Sequence, residues 1–157
     1  MPHIAAVGFD LGDTLITYAD TPLNWSALYS AALTHAAKSL GFAPSATELR
    51  TAETILARFN TRIHPRTQEV SAESIFAEIA AAWPSDRRFS PQRLLEGFFA
   101  FFQQRCVAYP ETSACLAALR QRRLPVGVLT DAPYGMPRTF VAQDLSAANV
   151  ADALDAW

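Results

Sequence analysis

The chain opens with an apolar run, Ile4 to Phe9, that breaks abruptly at Asp10-Leu11-Gly12-Asp13-Thr14. A run this short, apolar throughout and closed by glycine and acidic residues, predicts a buried parallel strand feeding a loop. From Pro22 the period changes. Trp25, Leu28, Tyr29, Ala32, Leu33, Ala36, Ala37 and Leu40 recur at helical spacing, and Gly41 closes the pattern as a C-terminal cap. Ser45 and Glu48 have the spacing of a capping box and open a helix running to the region of Asn60. A further stripe, Ala72, Ile75, Phe76, Ile79, Ala80 and Trp83, stops at Pro84; Ser90-Pro91 then starts a helix carrying Leu94, Leu95, Phe98, Phe99 and Phe102.

After Tyr109-Pro110 the pattern turns back to α/β. A helix through Leu116 and Leu119 ends in Arg120-Gln121-Arg122-Arg123, cations that complement the negative end of a helix dipole and read as caps rather than a binding patch. Leu124 to Leu129 predicts a second buried strand, ending at Thr130-Asp131. Weaker helical patterns around Arg138 to Asp144 and Ala147 to Ala156 complete the chain, and they make Asp144, Asp152 and Asp155 solvated helix residues. The two changes of period divide the chain into a discontinuous α/β core, residues 1–17 with 106–157, and an inserted all-helical block, 18–105. Cys106 and Cys115 fall at a helix entrance and within its body; with no metal-ligand spacing around them they read as reduced packing residues.

Composition narrows the function classes. Thirteen basic against fifteen acidic residues give a net charge of −2 with no long basic run, so nucleic-acid binding is not expected. No apolar stretch approaches the roughly 20 residues of a membrane span, no signal peptide fits the first residues, and a cytoplasmic location is the expectation. One detail bears on chemistry: twelve of the thirteen cations are arginine, and Lys38 is the only lysine.

Open parallel sheets place their sites outside the C-terminal ends of the strands. That makes Asp10 and Thr130 candidates for one pocket, although an aspartate capping a turn and a threonine capping a helix would leave the same signature. Arg58, Arg62, His64 and Arg66, between two helices of the insert, are candidates for meeting an anionic substrate, although a solvated loop and helix end is the simpler account of them.

Phe9-Asp10-Leu11-Gly12-Asp13-Thr14-Leu15 resembles the first motif of the haloacid-dehalogenase-like (HAD) hydrolases, an apolar strand followed by Asp-x-Asp-Gly-Thr, and Val128-Leu129-Thr130-Asp131 resembles their second, an apolar strand ending in Thr or Ser. The helical block between them is similar to the cap that the family inserts after its first strand. The resemblance implies an α/β fold with a Rossmann-like core, here an incomplete parallel sheet, and an inserted helical cap. It implies a Mg²⁺-dependent phosphatase acting on a small phosphorylated metabolite. Asp10 would be the nucleophile that forms an aspartyl-phosphate. One Asp10 oxygen and the Gly12 carbonyl would bind Mg²⁺, and the Thr130 hydroxyl with the Asp131 N–H would hold phosphoryl oxygens.

The sequence departs from the family pattern in two places. The acid expected two residues after the nucleophile is replaced by Gly12, with Asp13 at the usual glycine position, so a proton donor is missing where the family keeps one. No lysine follows Asp131, and no later strand ends in acids, so the third and fourth motifs have no counterpart and the chain reads as truncated after the second. Two other readings follow. Dehalogenase-type chemistry keeps the nucleophile without that acid, and a non-catalytic remnant would serve as an interaction module. With few strands to cover it, one edge of Ile4 to Phe9 is expected to be unpaired and open to self-association.

Overall fold

A computed structural model describes residues 3–65, 67–84 and 88–157. Arg66 of the cluster named above lies outside them. The chain forms two compact units, one of residues 1–19, 105–131 and 138–157, the other of residues 20–104 and 132–137. The segment 132–137, assigned to the α/β core from sequence, has its contacts with the helices instead.

The first unit is built on β1 (Val7–Phe9), which lies parallel to a strand at Val126–Val128 with Val7 opposite Val126 and Phe9 opposite Val128. Both lie inside the apolar runs that predicted them. The Leu11 carbonyl accepts from the N–H groups of Leu15 and Ile16 at 2.9 and 3.1 Å. The resulting tight turn buries Leu11 and Leu15 while Gly12, Asp13 and Thr14 stay exposed. The turn leads into β2 (Ile16–Tyr18), antiparallel to β3 (Cys106–Ala108), with Tyr18 opposite Cys106. Cys106 is therefore a strand residue and not a helix entrance, and Cys115 is exposed rather than packed. Next come α5 (Thr112–Gln121), the partner strand of β1, here β4 (Val126–Val128), and α6 (Arg138–Ala147). The helix-to-strand turn is closed by Arg123 at φ 55°, beyond the cap at Arg122.

The other edge of β4 is covered by a stretch read from sequence as helix. Val128 N–H donates to the Ala156 carbonyl at 2.9 Å, Asp155 N–H donates to that of Val126 at 2.8 Å, and Ala156 bridges Gly127 in parallel sense. The core has a third, very short parallel run at residues 155–156, and among the described residues β1 pairs with β4 alone. Leu11, Leu15, Ile16, Cys106, Leu116, Val126 and Leu145 make its hydrophobic centre.

The second unit holds α1 (Tyr29–Ser39), α2 (Ala46–Arg58), α3 (Ala72–Ala82) and α4 (Pro91–Gln103). The capping box at α2 forms in both directions, Glu48 N–H to Ser45 Oγ at 3.3 Å and Ser45 N–H to Glu48 Oε2 at 2.6 Å. Phe76, Phe98, Phe99 and Phe102 are fully buried, and Trp25 stacks on Phe102 with ring centres 3.9 Å apart. Each such ring contributes about 1.5–3 kcal/mol through burial. No helix of the described residues is long and apolar enough to cross a membrane.

Small residues let α1 and α4 approach closely. A Cβ placed on Gly97 would stand 2.7 Å from the Ala36 Cα. Gly97→Ala gains about 1 kcal/mol of helix propensity but forces two backbones apart, and overpacking of this kind costs about 1–3 kcal/mol. We expect a net loss of stability of about 1 kcal/mol in urea unfolding; a gain would mean that the helices yield freely at this contact.

Candidate active site

The register of β1 and β4 determines where the two motif residues lie. Leu129 N–H donates to the Phe9 carbonyl at 2.9 Å, so the chain positions that follow, Asp10 on one strand and Thr130 on the other, leave the sheet at the same end. Asp10 is exposed, and its Oδ1 accepts from the Leu11 N–H at 2.8 Å. Thr130 makes one long bond, Oγ1 to the Asp131 carbonyl at 3.5 Å. Such a bond is weak enough to be exchanged for a ligand oxygen. Asp131 is exposed beside it. These are the residues that the sequence singled out, and the parallel pair brings them to one strand end.

Gly12 and Asp13 occupy the turn after Asp10. Asp13 has φ 57°, in the left-handed region where glycine is favoured. Its Oδ1 accepts from the hydroxyls of Thr17 at 3.2 Å and Tyr109 at 3.4 Å. A cavity of about 290 Å³ opens on this side, lined by Phe9, Asp13, Thr14, Tyr109 and Glu111 among others; Asp10 and Thr130 are not in its lining. The Asp13 carboxylate is thus held towards β2 and the residue that follows β3.

The metal-binding chemistry present is a part set. The Asp10 carboxylate and Gly12 carbonyl are hard oxygen donors of the kind Mg²⁺ prefers, and Mg²⁺ retains several waters, so two protein donors are chemically compatible with it. Among the described residues no group of three or more His, Cys, Asp or Glu side chains converges as a metal site.

Sequence reading missed a buried polar cluster. Asp144 is 2% exposed, and the Tyr18 hydroxyl donates to its Oδ2 at 2.5 Å. Burial, followed by the nearby Asp144 charge, pushes the Tyr18 hydroxyl well above the usual phenol range. The same two causes push the Cys106 thiol up to about 12, so it stays protonated. Cys106 Sγ lies 3.6 Å from the Asp144 carbonyl. The expectation of a solvated Asp144 is corrected here. The signal was its spacing: Phe140, Val141, Asp144, Leu145 and Ala148 recur on one helical face, and that face is the inner one. Asp155 is exposed as expected but lies outside any helix, and its Oδ2 accepts from the Val126 N–H at 2.7 Å.

Arg138 donates to the Trp157 carbonyl at 2.6 Å and stacks over its ring at 4.5 Å, so this guanidinium is already engaged. In the helical unit Arg58 pairs with Glu78, while Arg62 and His64 are exposed.

No protein-family profile matches the chain, and no curated protein matches it in sequence. Solved structures do. A proposed β-phosphoglucomutase from Thermotoga maritima is similar over 96% of this chain and 59% of its own, at 16% identity and TM-score 0.53. A proposed HAD hydrolase, YfnB from Bacillus subtilis, determined with magnesium bound, is similar over 99% of this chain and 64% of its own, at 11% identity and TM-score 0.51. The chain therefore spans about three fifths of the length of the structures it resembles. With a parallel core interrupted after its first strand by a four-helix insert, it has the fold of the HAD-like hydrolases.

Proposed function

We propose that the chain is the nucleophile-bearing part of a Mg²⁺-dependent phosphatase that acts on a small phosphorylated metabolite, with the helical unit as its cap. The observation that carries this reading is the parallel β1–β4 register, which brings Asp10 and Thr130 out at one end of the sheet.

In this reading an Asp10 carboxylate oxygen attacks phosphorus, the ester oxygen departs with the bonding pair and takes up a proton, and an aspartyl-phosphate remains. Water then attacks phosphorus and regenerates the carboxylate. The Leu11 N–H, 2.8 Å from Asp10 Oδ1, orients the carboxylate and leaves Oδ2 for the attack. The Thr130 hydroxyl turns from the Asp131 carbonyl to a phosphoryl oxygen, and the Asp131 N–H donates to a second. Mg²⁺ held by Asp10 and the Gly12 carbonyl would neutralise charge on nucleophile and phosphate. Gly12 brings no proton to the leaving group, so esters of acidic alcohols and phenols are the favoured substrates.

The missing acid also favours a second reading, dehalogenation, in which the nucleophile attacks carbon without metal. The two are separated by assaying p-nitrophenyl phosphate and a 2-haloacid with and without a chelator. On the longest natural form that carries the chain, we expect phosphate release that falls to background on chelation and returns with Mg²⁺. Halide release that is indifferent to chelation would replace the phosphatase reading.

A further inference from the structure

The turn that carries Asp10 and Gly12 is fastened from outside by one buried side chain. Thr112 is 3% exposed, and its hydroxyl donates to the Leu15 carbonyl at 2.8 Å. That carbonyl also accepts from the Tyr109 N–H at 3.2 Å, a bond that continues the β2–β3 ladder one residue pair past Ile16 and Ala108. The ladder can go no further, because Pro110, the next residue, has no N–H to donate. The Thr112 hydroxyl supplies a second donor that the backbone lacks. Thr112 opens α5, where Glu111 at the N-cap makes no side-chain bond; the hydroxyl is directed at another element instead of capping its own helix.

From Leu15 the hold runs inward through rigid peptide planes. The carbonyl that Thr112 grips and the Ile16 N–H belong to one planar peptide, so fixing the first fixes the direction of the second. The Ile16 N–H donates to the Leu11 carbonyl at 3.1 Å, where the Leu15 N–H also donates at 2.9 Å. The Leu11 carbonyl belongs in turn to the Leu11–Gly12 peptide, and the Leu11 N–H reaches Asp10 Oδ1 at 2.8 Å. Leu11, Leu15 and Ile16 are buried, while Asp10, Gly12, Asp13 and Thr14 are exposed. The exposed part of the turn therefore takes its place from the buried part. A buried carbonyl that loses a donor cannot turn to water, so removal of the hydroxyl favours reorientation of the Leu15–Ile16 peptide.

We propose that Thr112 is a positioning residue: through the Leu15–Ile16 peptide its hydroxyl fixes the Leu11–Gly12 peptide, and with it the direction of the Asp10 carboxylate and the Gly12 carbonyl. The chemical roles of Asp10 and Gly12 rest on the function proposed above; the hold on the turn does not. Every residue of this relay belongs to the α/β unit.

The test compares wild type with Thr112→Val, which keeps the shape of the side chain and removes the hydroxyl, and with Thr112→Ser, which keeps the hydroxyl. By ¹⁵N relaxation on the chain as given, the order parameters of Leu11 and Gly12 are expected to fall from about 0.85 toward about 0.6 in Thr112→Val, those of Val126–Val128 staying rigid. Thr112→Ser is expected to restore them. Unchanged values at Leu11 and Gly12 in Thr112→Val would overturn the proposal, leaving Thr112 a packing residue at the start of α5. Should Thr112→Val fail to fold, hydrogen exchange on wild type decides: the Leu15, Ile16 and Thr112 amides are expected to open together as one cooperative unit, and exchange of the first two about tenfold or more faster than the third overturns the hold. In the longest natural form that carries the chain, kcat for p-nitrophenyl phosphate with Mg²⁺ is expected to fall about 10²-fold in Thr112→Val and to recover in Thr112→Ser, KM moving by less than about threefold. Order parameters that fall as expected while kcat stays unchanged keep the hold and remove the roles assigned to Asp10 and Gly12.

Discussion

Asp10→Asn is expected to abolish turnover and leave the fold as it is. Asp10 is exposed, and its bond from the Leu11 N–H can be accepted by an amide oxygen equally well, so the change in stability should stay within about 0.5 kcal/mol. The chemistry has no such tolerance. An amide oxygen is not a competent nucleophile and brings no negative charge to a metal, which closes the covalent route at its first step. Thr130→Ala removes one donor to a phosphoryl oxygen and should cost less, about 10²–10³-fold in kcat. The comparison is run with p-nitrophenyl phosphate and Mg²⁺ on the chain as given and on the longest natural form that carries it. For residues 1–157 alone we expect negligible turnover even in wild type. The one lysine, Lys38, lies on α1, Arg138 is engaged with Trp157, and no acid cluster among the described residues completes a metal shell. Equal rates for Asp10→Asn and wild type in the longer form would remove Asp10 from its assigned role.

The strand ends that carry the candidate site were more legible in the sequence than the elements around them. Ile4 to Phe9 and Leu124 to Leu129 stood out as short unbroken apolar runs, and the helical stripes because each buries one face at a period of 3.6. The burial expected of the first run is not met, since Ile4 and Gly8 are exposed and Val7 and Phe9 only half-buried, and Leu129 at the end of the second is exposed as well. β2 and β3 were not legible. Each has three residues, too few to show a period, and each forms because its partner lies across the helical insert. Residues 155–156 were read as helix from an alanine-rich context; two backbone bonds to β4 and the Asp155 side chain on the Val126 N–H override that propensity. Tyr134 sits in a short Pro- and Gly-containing segment with no period, so nothing local announces that its ring belongs among the helices. Asp10 and Thr130 stood out because a strand end is a local event, whereas the elements around them depend on long-range pairing.

Exchanging the two residues after Leu11, as Gly12→Asp with Asp13→Gly, is expected to raise turnover of alkyl phosphates by about 10²–10⁴-fold, the usual worth of a positioned general acid. The local structure accepts both changes. A Cβ on Gly12 meets nothing within 4 Å, and Gly12 is not at positive φ, so a carboxylate can be installed there without strain. At position 13 the backbone is left-handed, where glycine is at ease and other residues give up about 1 kcal/mol. The exposed bonds that Asp13 accepts from Thr17 and Tyr109, at 3.2 and 3.4 Å, are long, so their loss should roughly cancel that relief. Unfolding free energy should therefore move by less than about 1 kcal/mol. The decisive contrast lies between leaving groups. A simple alkoxide needs a proton as it departs and gains the full factor; p-nitrophenolate departs unprotonated and should gain little. A kcat/KM increase confined to the alkyl ester, with a new decline at high pH as the added acid ionises, would mark proton donation. Equal gains for both esters would mean that the new carboxylate acts through the metal or the fold, and no gain for either would mean that the missing acid at position 12 is not what limits this site.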